Sequence, residues 1–391
     1  MQGKKDSKDR GEPAQADPAA PHAYPRRILL AVAGLSPQIV TETLYALAVQ
    51  GDLPFVPTEV RLVTTTEGAE RVRLSLLSQD PGWLDRLVRD YDLPPIAFTA
   101  DHVQVLTDAD GVALPDIREL DDNELVADQL TETIRRLTAD PDCALHVSLA
   151  GGRKTMGYYA GYALSLFGRP QDRLSHVLVS EPFEQSWDFF YPTPYSRVII
   201  TRDNKPADTK DARVTLAAVP FVRLRDGLPE RLLAGHASFG ETIAAAQRAF
   251  EPPQLAIDLA SQRIQAAGEV VTMSPAPLAF YAMMARRRKQ GLHAARWSTD
   301  GIAEQYLAEY RNIVGAFSGD LERTEAALAN GMSDDDFDQR KSRTNSALTK
   351  ALGAQLAEPY LVQAEGKRPH TRYRLRLEAG AIRFEDVSGD D

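Results

Sequence analysis

The chain has 391 residues, of which 43% are apolar, and a net charge of −10. That length allows two or three domains with buried cores. The single cysteine, Cys143, excludes an internal disulfide framework and fits a reducing, cytoplasmic setting. No run of about 18 apolar residues exists to span a membrane. The negative balance argues against indiscriminate nucleic-acid binding by the whole surface, while leaving room for a local basic patch.

Residues 1–25 are charged, rich in Pro and Ala, and lack an apolar stretch, which predicts a disordered tail rather than a signal peptide. Residues 28–32 (ILLAV) form a continuous apolar run, the pattern of a strand covered on both faces. The turn GLSPQ (34–38) follows, with Ser36 at a cap position and Pro37 opening a helix to about residue 50. A strand at 60–65 leads through Thr66-Glu67-Gly68 into a helix. A helix at 82–91, a short strand at 103–105 and a helix at 121–138 come next. The strand 145–149 (LHVSL) runs through AGGRKT into a helix at about 154–167, and 174–180 is a further strand. This alternation predicts an α/β fold, a Rossmann-like and mostly parallel sheet over 26–250, with residues 181–235 as an appendage and a helix at 238–250. Ligands of such sheets sit at the carboxyl ends of strands, where both glycine-bearing turns fall, and those turns are expected to be neighbours.

Beyond residue 250 the pattern changes. A small hairpin is expected from 255–258 and 269–272, then helices at 278–287, 301–313, 318–330 and 341–352, then strands at 360–363 and 371–377 joined by a basic turn. Helix, polar helix and two-stranded ribbon are the order of a winged helix–turn–helix, assigned to 251–385. Between residues 341 and 376 stand eight Lys/Arg and two acids. Arg343 and Asn345, at the expected start of the polar helix, and Lys367 and Arg368, at the ribbon tip, are the candidates for contact with duplex DNA. The alternative is that these charges are merely solvated. The spacing Arg288 to His293 matches R-x4-H of HEPN ribonucleases, but Gly291 ends the helix between them and the strands of 360–377 do not suit an all-helical domain.

The run VSLAGGRKTM (147–156) is the most informative. Gly151 and Gly152 let the backbone approach a ligand closely, and the following helix offers unpaired N–H groups to an anion. Arg153 can fork onto two phosphate oxygens and Lys154 adds a point charge. Cations oppose the dipole at a helix N-terminus, which favours a ligand over the plainer reading, a glycine-bearing strand-to-helix turn whose cationic first turn is merely solvated. A P-loop needs Gly directly before the Lys, and Arg153 stands there. The G-x-G-x-x-G spacing is absent too. The candidate ligand-binding residues along the turns are Gly34, Gln38, Thr66, Gly151, Gly152, Arg153 and Thr155. For Thr64 to Glu67 the plainer reading is a strand ending in a helix cap.

Residues 27–200 resemble a CARF domain, the sensor of cyclic oligoadenylates in type III CRISPR systems. The resemblance is carried by GLSPQIVTETLYAL (34–47), VTTTEG (63–68) and SLAGGRKTMGYYAGYAL (148–164). Within that superfamily the chain is most similar to the CRISPR ring nucleases, which join a CARF domain to a winged helix. The resemblance implies a homodimer holding cyclic tetra-adenylate across its two-fold axis. It implies ring opening without metal or cofactor, by attack of an adenosine 2′-hydroxyl on its own 3′-phosphate. Lys154 matches the catalytic lysine of that family, and Ser36 the serine of its first loop, so both are expected to be catalytic; Arg153, Gly151 and Gly152 are expected to grip phosphate. No HExxH, HxxEH or CxxC motif suggests a metal site. The competing expectation is a non-cutting sensor that regulates transcription through the winged helix.

Overall fold

The computed structural model describes residues 17–149, 151–184, 186–235, 237–248, 251–367 and 370–385. The chain divides into two compact units, Met1–Arg223 and Leu224–Asp391. Among the described residues no helix is long and apolar enough to cross a membrane.

The first unit is a parallel sheet with one added strand. Strand β1 (Arg26–Val32) leads to helix α1 (Gln38–Ala48), β2 (Glu59–Thr64) to α2 (Thr66–Ser75) and α3 (Trp83–Asp90), β3 (Val103–Val105) to α4 (Leu120–Thr138), and β4 (Cys143–Ser148) to α5 (Lys154–Phe167). Then come β5 (Arg173–Val179), a hairpin of β6 (Val198–Ile200) and β7 (Pro206–Asp208), and β8 (Val214–Ala218). The sheet order is β3-β2-β1-β4-β5-β8, and only β8 runs antiparallel. Residues Ile28 to Val32 are fully buried, as the unbroken apolar run predicts for a central strand with neighbours on both edges and helices on both faces. Chain order reverses between β1 and β4, so the crevice outside their carboxyl ends is the switch point where such sheets take ligands.

Two expectations for this unit are corrected. Residues 1–16 of the expected tail lie outside the described residues, but 17–25 are built into the fold. Pro21–Ala23 make a 3-10 turn, Tyr24 is buried, and the Arg173 guanidinium donates to the Pro18 carbonyl. The 181–235 segment is not simply an appendage, because β8 is hydrogen-bonded into the main sheet.

The second unit begins with α6 (Glu230–Ala234) and α7 (Phe239–Arg248), both expected in the first domain. Arg231 on α6 and Arg248 on α7 pair with Glu269, which ties these helices to this unit. Strands β9 (Leu255–Asp258), β10 (Arg263–Ala266) and β11 (Glu269–Thr272) form an antiparallel meander rather than a two-stranded hairpin. Helix α8 (Pro275–Lys289) is buried all round from Pro277 to Ala285 and forms the centre of the unit's core. Around it lie α9 (Ile302–Val314), α10 (Gly319–Ala327), α11 (Asp334–Leu352) and α12 (Ala354–Ala357), then the ribbon β12 (Val362–Glu365) and β13 (Arg372–Leu375). The final strand β14 (Ile382–Glu385) pairs in parallel with β9.

Candidate functional site

The loop after β1 and the loop after β4 meet backbone to backbone. A methyl group placed on Gly34 would lie 3.0 Å from the Gly152 Cα. Gly68, at the start of α2, closes the junction from the other side: a Cβ there would collide with the Thr64 hydroxyl and the Gly34 carbonyl oxygen. Gly151 and Gly152 have φ of +103° and +75°, values that side chains rarely tolerate. The two glycine-bearing turns are thus neighbours, as expected, and Gly68 brings a third loop against them.

Arg153 occupies the cap position of α5 in extended conformation, and Lys154 is its first residue. Lys154 and Thr155 are exposed, and Lys154 has no ion-pair or hydrogen-bond partner among the described residues. Ser36 is likewise exposed with no partner for its hydroxyl; α1 starts at Gln38 with no side-chain cap.

Arg153 is different. Its Nε donates to Asp116 Oδ1 at 3.0 Å and its Nη2 to Oδ2, a bidentate pair. The Arg153 hydrogen bonds hold the Asp116 carboxyl down at about 2. The fork expected to grip phosphate is therefore already engaged. Asp116 gave no sequence signal, because it is 37 residues away in a loop before α4.

Thr66 is also committed: its hydroxyl donates to the Leu114 carbonyl at 3.1 Å, and its backbone N–H donates to the same oxygen. It anchors a loop; β2 does end at the start of α2, as the plainer reading has it, but Thr65 at the cap position makes no side-chain cap hydrogen bond.

A cleft of about 660 Å³ lies between α1, β5 and the segment after β5. From the sequence-derived set its lining takes in Ser36, Gln38 and Gly151; Arg153, Lys154 and Thr155 are not among the described lining residues. Gln38 Nε2 donates to the Trp187 carbonyl at 3.1 Å, leaving Oε1 buried without a partner. Glu42, Glu184, Ser186 and Trp187 line the same cleft and were missed. Glu42 stands four residues after Gln38 on a helix, a spacing that shares one face and was the available signal. Arg71 on α2 donates to the Leu35 carbonyl at 3.3 Å and lies 5.1 Å from the Trp187 ring centroid, bracing the β1 loop.

In the second unit, Asn345 is corrected. It was expected at the start of a helix beginning near 341, but α11 begins at Asp334 and Asn345 lies mid-helix. Its amide donates to the Val362 carbonyl and accepts from the Val362 N–H, both at 3.0 Å, so it is a clip for the ribbon. The neighbouring Thr344 is buried on the Pro277 carbonyl. Arg343 is exposed, Lys367 has no side-chain partner among the described residues, and Arg368 lies outside them. Arg288 of the R-x4-H spacing donates to the Leu377 carbonyl at 2.6 Å, a structural contact. Among the described residues no group of three or more His, Cys, Asp or Glu is placed to hold a metal ion.

No curated protein matches the chain. The model of one family, described as CRISPR-associated protein NE0113, matches residues 36–252, more than half of the 391 residues, and the chain belongs to that family.

Proposed function

We propose that the first unit is a CARF domain and the protein a ring nuclease that opens cyclic tetra-adenylate and so ends a type III CRISPR signal. The observation that carries this reading is the junction of the β1 and β4 loops at the switch point. It presents Ser36 and Lys154, exposed and unpartnered among the described residues, on abutting glycine turns. A homodimer offers each loop twice to a two-fold symmetric ring. The 2′-oxygen attacks the adjacent phosphorus, the bond to the leaving 5′-oxygen breaks, and the 2′-hydroxyl proton passes to solvent as the leaving oxygen takes one up. The products are linear with a 2′,3′-cyclic phosphate. The Lys154 ammonium stabilises the negative charge on the non-bridging oxygens of the pentacoordinate phosphorus, and Ser36 holds the reacting ribose and phosphate in line.

Incubation with labelled cyclic tetra-adenylate in EDTA tests this. Linear 2′,3′-cyclic phosphate products are expected, and Lys154→Ala should slow their formation by about two orders of magnitude or more. An intact ring, or an activity that EDTA removes and magnesium restores, would overturn the mechanism.

The second reading is a sensor acting through DNA, with the second unit as a winged helix. It is favoured by an open groove of about 720 Å³ along α11, bearing Lys341, Ser342, Ser346, Thr349 and Lys350. Glu230 also lines that groove, and Lys341 is paired with Asp338. Duplex DNA should shift at low salt and lose affinity in Arg343→Ala with Lys367→Ala, leaving ring opening unchanged. Absence of a shift for the wild type removes this reading.

A further inference from the structure

The cleft beside the β1 loop holds a carboxyl group that is paired with no cation among the described residues. Glu42 lies about one helical turn beyond Gln38 on α1, and both line the cleft. Glu42 is partly accessible through the cleft mouth and otherwise surrounded by protein. It makes no ion pair or hydrogen bond among the described residues. The titratable groups that line the cleft with it are Glu184 after β5, His176 on β5 and Arg202 after β6. Burial, and then repulsion from Glu184, pushes the Glu42 carboxyl up to about 8, so it keeps its proton at neutral pH. Two more polar atoms of the lining residues, Gln38 Oε1 and Ser186 Oγ, are buried without partners. At the rim the Trp187 side chain is 66% exposed.

We propose that this cleft takes a 6-aminopurine base and that Glu42, in its neutral form, is the group that distinguishes adenine from guanine. A neutral carboxyl presents one O–H donor beside one carbonyl acceptor. The adenine edge presents the complement, N1 as acceptor and the 6-amino group as donor. The same edge of guanine presents two neighbouring donors, which suit an ionised carboxylate instead. Gln38 Oε1 is a second acceptor for the amino group, Ser186 Oγ supplies a donor for a ring nitrogen, and Trp187 offers a stacking face. Ser36 and Gly151 line the same cleft, so a base seated there has its sugar and phosphate directed toward the glycine junction. The inference rests on the cyclic oligoadenylate reading above and adds its base preference and pH dependence.

The probe is the 2′-deoxy form of cyclic tetra-adenylate, which lacks the attacking hydroxyl and stays intact, compared with its guanine counterpart by titration calorimetry from pH 6.5 to 9.5. The wild type is expected to prefer the adenine ring and to hold it with constant affinity below about pH 8. Above that, affinity should fall by up to tenfold per pH unit for each site. Glu42→Gln replaces the acid by an amide with the same donor–acceptor pair and no ionisation, and should keep the preference while abolishing the alkaline loss. Glu42→Ala should lose the preference. Wild-type binding that is flat with pH, or a preference untouched by Glu42→Ala, would overturn the role of Glu42 while leaving the functional reading intact. Failure of the wild type to bind the adenine ring at any pH, together with failure to open its ribose form, would overturn both.

Discussion

Arg153 and Lys154 are adjacent in the chain and differ in what they are free to do. Lys154 is exposed and has no partner among the described residues, whereas Arg153 is held by both oxygens of Asp116. The lowered Asp116 carboxyl stays ionised until the pH falls to about 2, so ordinary acidity does not open this pair. A polyanion arriving at the glycine junction must compete with Asp116 for the guanidinium. Asp116→Asn is therefore expected to raise affinity for cyclic tetra-adenylate several-fold at low ionic strength, with the gain shrinking in high salt. Unchanged affinity would show that Arg153 does not meet the ligand. The glycines and the two cations were legible in the sequence because their chemistry is local. Asp116 was not, since nothing nearby in the chain marks it as a partner of residue 153. Glu42 was half-legible: its spacing from Gln38 was visible, but its proton depends on burial and then on Glu184, both of which the fold supplies at the cleft.

Helix α11 shows where element-level reading went astray. The sequence predicts its start near residue 341, yet Ser333 and Asp336 form the N-terminus. The Ser333 hydroxyl accepts from the Asp336 N–H at 3.1 Å, and three acids occupy the first turn. Moving the start seven residues back turns Thr344 and Asn345 inward. Asn345→Ala removes both hydrogen bonds to Val362 and should destabilise the second unit by about 1–3 kcal/mol in urea unfolding. A change within error would mean that water replaces the amide at no cost. Strands β1 and β4 were legible because central parallel strands are unbroken apolar runs. Strands β10 and β14 have four residues each, and β14 exists only through pairing with the distant β9, so no local pattern announced them.

Among the described residues two hydrophobic clusters form, one from Tyr24 to Val214 and the other from Leu255 to Ile382. The expected boundary near 250 overlooked the ion pairs of Arg231 and Arg248 with Glu269, which bring α6 and α7 into the second unit. A chain ending at residue 223 should unfold in one cooperative thermal transition, whereas one ending at 250 carries two short helices without their carboxylate. Gradual, non-cooperative melting of the shorter chain would show that its core is insufficient by itself.

The contact of Gly34 with Gly152 also determines how the site can change. At that contact Gly34 faces main-chain atoms of Gly152, so no flexible side chain there can yield to make room. Replacing Ser36 or Lys154 alters the chemistry offered and leaves this contact as it was. Adding a single carbon at Gly34 does the reverse: every reactive group keeps its identity, while the two loops must part by a few tenths of an ångström.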